Sequence, residues 1–419
     1  MPLPVRPLPT VQKWDCQGCS DCCRTYSVGV SDAERARIDA QKWDELPELK
    51  GVLPTIYDPS IGGHRMNHTA DGACVLLGPD NRCRIHAKFG SAAKPMACRI
   101  YPFVLVPAGD HWRLGIRFSC PAAATNEGRP LTEQGADAKE YAGLMEADAG
   151  DKFRDRPVPP LQPGQVLPWQ DLIRFTNAVL GLLSDDAAPL ELRLRRVAGL
   201  IDFCKKASFE KVTGPRLGEF LEIAVAMAAD DTSADPEAVP KPGWVGRMLF
   251  RQMLAVYARK DNGPNKGVAS RGKWTRLRAG WRFARGRGRV PKLHGRFPTT
   301  TFAVAETQTG GLSAAGQALL TRFYRVKVES MQFVGPTNHH RPFWLGLESL
   351  LLTFPVILWL ARVFASDGRD PDECLLEAVR LVDDSFGFNK MLGSGRQNWV
   401  VRTMASRGEL ARLIAWYAR

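Results

Sequence analysis

The stretch WDCQGCSDCCRTY, Trp14 to Tyr26, places four thiols, Cys16, Cys19, Cys22 and Cys23, within eight residues. Soft ligands at that density have three chemical explanations: disulfides, a redox pair or a bound metal. Ten cysteines occur in the 419 residues, and eight precede residue 121, the other four of these being Cys74, Cys83, Cys98 and Cys120. Cys204 and Cys374 lie in text of helical period and read as small buried hydrophobes. The N-terminal text MPLPVRPLPTVQKW interrupts with proline the apolar run an export signal needs, so a reducing, cytoplasmic compartment is expected. There, a thiol cluster in a chain of this size binds metal or does chemistry, because disulfide staples belong to small secreted domains.

Working outward, SDAERARIDAQKW pairs Ser31 with Glu34 at the spacing of a capping box, which predicts a helix from Asp32 to Trp43. CVLLGPDNRCRIH reads as two apolar arms around a Gly-Pro-Asp-Asn turn, a β-hairpin carrying Cys74 and Cys83. CRIYPFVLVPAGDHWRLGIRFSC repeats the design, with strands at Tyr101 to Val106 and Trp112 to Phe118 around a turn at Pro107 to Asp110. Its open end is expected to bring Cys98 and Cys120 together. A helix in TEQGADAKEYAGLMEA precedes RDRPVPPLQPGQVLP, whose five prolines mark a linker. Beyond it the apolar residues recur with helical period. The expected organisation is α+β: a cysteine domain at 1–150 built on short hairpins, a Pro-rich linker at 151–168 and a helical domain at 169–419. The most apolar run, SLLLTFPVILWLA (Ser349 to Ala361), is shorter than the roughly 20 residues of a membrane span and reads as a buried helix kinked at Pro355.

Thiolates ligate both zinc and iron-sulfur clusters, and a C-x2-C loop presents two sulfurs to one centre. The run C-x2-C-x2-C has the bacterial ferredoxin spacing, but Cys23 follows Cys22 at once. The two are therefore expected to point apart, serving two centres or leaving one reactive thiol. Eight thiols make two four-thiolate zinc sites, or one four-iron cluster with further ligands. The remote pair Cys120-Pro121 leans toward the cluster. His64 and His68, in GGHRMNH, have an i, i+4 spacing, but the glycines before them argue for a loop. Arg99 is placed either to donate toward thiolates or to form a plain ion pair.

The order C-x2-C-x2-CC, then GACVLL with DNRCRIH, then PMACRIYPF resembles the YkgJ-type cysteine-cluster family, regarded as a zinc- or iron-chelating domain. Within it, the flagellin lysine N-methylases carry the same pattern ahead of a helical region. By motif position the resemblance implies Cys16, Cys19, Cys22, Cys23, Cys74, Cys83 and Cys98 as metal ligands, with Cys120 as an eighth. His86 stands where relatives often have Tyr. The implied cofactors are an iron-sulfur cluster ([4Fe-4S]) or zinc, together with S-adenosylmethionine; the implied activity is a methyltransferase acting on a protein lysine. No glycine-rich nucleotide loop follows a clear strand.

The formal charge of +13 is local: 259–296 holds thirteen Lys or Arg and one Asp, so the remainder is almost neutral. Within it, RGKWTRLRAGWRFARGRGR mixes Arg with Trp274, Trp281 and Phe283, which suits a solvated loop docking an acidic protein, a nucleic acid, or an anionic membrane surface. The competing expectation for the whole chain is thus a structural zinc module that uses 259–296 to bind nucleic acid or an acidic partner.

Overall fold

The computed structural model describes residues 3–6, 12–150, 156–260, 265–268 and 272–419. Short strands and helices make up the N-terminal region, and the rest is mostly helical. The Ser31/Glu34 capping box forms as predicted and starts a helix at Asp32–Asp39. That helix ends before Trp43 because Lys42 turns into the left-handed region at φ 51°. The reversal buries Trp43 beside Ile38 and Leu49 in a small core completed by Met66, Val75, Leu76 and Ile85. A three-stranded antiparallel sheet, Thr55–Asp58 against Gly63–Met66 against Gly29–Val30, borders it. These strands were not legible in the sequence.

The hairpin expected around residues 79–81 forms only as a short closure, in which the Gly78 N–H donates to the Arg82 carbonyl at 2.8 Å and the Arg84 N–H to the Leu76 carbonyl at 2.9 Å. Cys74 bridges to His68 and Cys83 to Leu77, and Cys83 then opens the helix Arg84–Phe89. Pairing stops short of Cys74, whose N–H donates instead to the Cys23 carbonyl at 2.8 Å. The second hairpin does form, Phe103–Pro107 against Trp112–Ile116 in antiparallel register, with Val5–Arg6 added in parallel.

That hairpin belongs to a second, much larger core. Phe103, Leu105, Trp112, Leu114 and Ile116 are continuous with the buried faces of the helical body. Contact is close: a Cβ on Gly115 would lie 2.1 Å from Gln332 Nε2, so the strand accepts no side chain there. At the centre, the segment Phe343–Ala365 is long and apolar enough to cross a membrane, yet nearly all of it is buried in protein. It breaks at Leu352, between the helices Phe343–Leu351 and Thr353–Ala365. The expected kink thus lies upstream of Pro355, which has no N–H to offer the Leu351 carbonyl.

A buried charge network ties hairpin and helices together. Lys327 and Asp383, both almost fully buried, form an ion pair at 2.5 Å, and the other oxygen of Asp383 accepts the Ser119 N–H at 2.9 Å. Burial pushes the Lys327 ammonium down from its ordinary pKa, and Asp383 works against that shift. Removing the carboxylate would strand the cation. We predict that Asp383→Ala lowers the unfolding free energy by roughly 3–5 kcal/mol, whereas adding Lys327→Met recovers most of the loss. Urea denaturation of both variants measures this; a loss below about 1 kcal/mol in the single variant would contradict the assignment.

Candidate metal centre

Each cysteine segment is held by a local device. The strand Lys13–Trp14 pairs with Arg129–Pro130, and Asp15 locks the loop that follows by an ion pair to Arg129 at 2.9 Å. A Cβ on Gly128 would lie 2.3 Å from the Asp15 nitrogen, so only glycine fits there. Cys16 and Cys19 occupy this loop and are exposed. Ser20 then adopts a left-handed conformation, φ 59°, and the chain enters the short helix Asp21–Thr25 that carries Cys22 and Cys23. Their sulfurs are 4.0 Å apart, so adjacency does not separate them as expected.

Cys74 is joined to this helix through its bond to the Cys23 carbonyl. Cys83 sits at the N-cap of Arg84–Phe89, and both cysteines pack against the small core. Cys98 lies in the helix Met96–Ile100, whose first N–H donates to the Glu34 carboxylate at 2.7 Å. The same carboxylate accepts the Ser31 N–H at 2.8 Å. Cys120 is the N-cap of Pro121–Thr125.

The electrostatics sort the thiols into two neighbourhoods. Burial pushes the Cys98 thiol up to about 12, and Cys74, Cys83 and Cys22 add to the rise while Lys94 opposes it. Burial likewise takes Cys74 to about 11, with Cys83 and Cys22 contributing. For Cys22 the hydrogen bond with Cys23 is the largest cause of a raised pKa, followed by burial, and Lys94 again opposes. Cys22, Cys74 and Cys83 thus all act on Cys98, and Cys22 and Cys83 act on Cys74. In the second group, partial desolvation of its sulfur is the largest cause of a raised Cys19 pKa, and Asp21, Cys22 and Cys16 also act on it. Burial also raises Cys120; the Trp14 side chain works in the opposite sense, and Cys19 adds to the rise. Cys22 is thus the thiol that both groups share. Cys98 and Cys120 start from the same end of the hairpin; Cys98 feels Cys74, Cys83 and Cys22, and Cys120 feels Cys19.

Among the described residues, no three His, Cys, Asp or Glu side chains share a coordination point. Two observations nevertheless suit a thiolate centre. The 4.0 Å between the Cys22 and Cys23 sulfurs is close to the ~3.8 Å edge of a tetrahedral four-sulfur site with metal–sulfur bonds of about 2.3 Å. The buried indole Nε1 of Trp14 is directed at Cys120 and lowers its pKa, the action of a donor toward a thiolate sulfur.

The other candidates lie elsewhere. His64 is in the strand Gly63–Met66, within 3.4 Å of Arg35 Nη1. His68 is occupied at both ring nitrogens, by the Tyr26 carbonyl at 3.2 Å and Arg65 Nη1 at 3.2 Å. His86 is exposed on its helix. Arg99 pairs with Glu140, the plain ion pair of the two expectations. Cys204 and Cys374 are buried in the helices Leu190–Cys204 and Pro371–Ser385. Sequence reasoning missed Lys94, the cation acting on Cys22 and Cys98, although it stands four residues before Cys98. It also missed Asp21, which lies inside the cysteine run and pairs with Arg380 at 2.8 Å, anchoring the loop to the helical body.

Residues 15–127 match the family model described as "CxxCxxCC: Putative zinc- or iron-chelating domain". No curated protein and no solved structure matches the chain.

Glu34 is the positioning group whose protonation state can be read. Burial alone would raise its pKa, but the N–H groups of Met96 and Ser31 outweigh that and hold it below the ordinary value. Its stabilisation is present above its unfolded pKa of about 4.3 and is lost as pH falls through the lower folded value. Glu34→Gln should cost about 1 kcal/mol at neutral pH, the scale of a lost cap, and the gap to wild type should close below about pH 4. Denaturation curves at several pH values test this. A gap that stays constant through the acid range would contradict it.

Proposed function

We propose that residues 15–127 form a thiolate metal-binding module, and that its centre is iron-sulfur. The carrying observation is that the Cys22 and Cys23 sulfurs lie 4.0 Å apart on a helix whose Cys23 carbonyl accepts the Cys74 N–H, that Cys74 and Cys83 pack on one small core, and that the half-buried Cys98 feels Cys22, Cys74, Cys83 and Lys94. Such a set has the chemistry of soft-metal ligation, and the lysine charge lowers the cost of gathering thiolates. The ferredoxin-like spacing and the Cys120-Pro121 pair support the iron-sulfur choice. When bound, a cluster supplies electron transfer or a covalent brace; the chain supplies the sulfurs, the burial and the nearby cation.

Zinc is the second reading, favoured by the Cys22–Cys23 separation, which suits a single-ion site. S-adenosylmethionine-dependent methylation of a protein lysine rests on the resemblance of the motif. A cleft of about 520 Å³ is lined by Thr309, Ser313, Leu358, Arg362, Asp372 and Tyr417 among others, and by no cysteine. Metal binding, which the match over residues 15–127 supports, is the better-supported class.

Anaerobic purification with metal, sulfide and visible-spectrum analysis tests the proposal. The wild-type chain should carry iron and inorganic sulfide with broad visible absorption that bleaches on reduction. Cys98→Ser should lose most of its metal, and Cys374→Ala should keep it. Colourless protein with about two zinc ions per chain would replace the first reading with the second. Equal metal content in wild type and Cys98→Ser would overturn both.

A further inference from the structure

The basic segment contains a well-formed helix, Lys273–Arg285. Its inner face is fixed to the body by Ala279 and Phe283, both buried, with Phe283 in ring contact with Phe302 at 5.2 Å and Trp359 at 6.1 Å. At 100° per residue, Trp274, Leu277 and Trp281 fall within an arc of about 60° on the opposite side. They are 82%, 63% and 60% exposed, so three large apolar side chains form one outward stripe. Arg278, Arg282 and Arg285 line one edge of it, and the Arg285 guanidinium stands 4.4 Å from the Trp281 ring centre. Among the described residues, Lys273, Arg276, Arg278, Arg282 and Arg285 take part in no ion pair, and the chain from Asn262 to Ala305 contains no Asp or Glu.

We propose that this helix docks the protein on an anionic phospholipid bilayer, lying in the plane of the interface with its Trp-Leu-Trp stripe among the headgroups. Unneutralised cations beside an apolar stripe match a surface that is negative outside and apolar beneath. Trp sits well at that depth, having an apolar body and one polar N–H. Single-stranded nucleic acid, the competing polyanion, would stack on the two indoles, but it gives the aliphatic Leu277 between them no role. Trp and Leu together on a convex face are accounted for by lipid.

Co-sedimentation of the full chain with vesicles of phosphatidylcholine alone, or mixed with phosphatidylglycerol, tests the proposal. Binding to the mixed vesicles should be at least about tenfold stronger than to the neutral ones and should weaken with salt. Leu277→Ser, a change on the exposed face, should weaken it several-fold at unchanged melting temperature, and Trp274→Ser with Trp281→Ser should weaken it further. Arg278→Gln with Arg282→Gln should reduce the preference for anionic vesicles. Equal binding to both vesicle types, or none, would overturn the proposal. So would Leu277→Ser binding like wild type while a single-stranded oligonucleotide displaces the vesicles, which would assign the surface to nucleic acid.

Discussion

The buried carboxylate of Asp383 is the point at which the two parts of this chain are joined. One oxygen neutralises Lys327 and the other holds the Ser119 N–H, immediately before Cys120. Neighbouring charges extend the joint: Arg117 pairs with Asp384 at 3.3 Å, Lys260 with Asp384 at 3.1 Å, and Arg380 with Asp21. The Arg117 guanidinium also stands 3.8 Å from the Phe388 ring centre and 5.1 Å from that of Tyr26. One end of the helix Pro371–Ser385 therefore holds both the cysteine loop, through Asp21, and the base of the hairpin, through Ser119. Buried charges of this kind cost desolvation free energy, and they fix one arrangement because a shifted register would leave a charge without its partner.

The two cores differ in what they can support. The larger runs from Phe103 through the C-terminal helices and carries the long buried segment Phe343–Ala365. The smaller has seven buried residues and sits under Cys74 and Cys83. So small a core supplies little of the free energy needed to order the loops around it, and metal ligation is the usual supplement in such regions. The proposed centre thus has a folding role that follows from the size of its surroundings, whatever chemistry it also performs.

Local signals were the legible ones. The capping box at Ser31 and Glu34 needs only residues three apart, and the hairpin at Phe103–Ile116 needs only alternation and a turn. The 74–83 stretch had similar signals and closes across its turn, but the pairing stops before Cys74, whose N–H goes to Cys23, a partner no local pattern reveals. The strands at Gly29–Val30 and Gly63–Met66 are too short to carry a period, and they exist because neighbouring chain pairs with them. The eight cysteines were legible as a group from count and spacing, whereas their division around Cys22 depends on which elements deliver them. The helix Lys273–Arg285 was hidden by Gly280, its flanking glycines and its arginines, and docking of Phe283 and Ala279 holds it in place.

The claim on which the rest depends is that sulfur alone surrounds a metal in this region. X-ray absorption at the iron and zinc edges of anaerobically purified protein measures this directly. The account predicts a first shell of sulfur only, with metal–sulfur distances of about 2.3 Å. A first shell dominated by nitrogen or oxygen would contradict it.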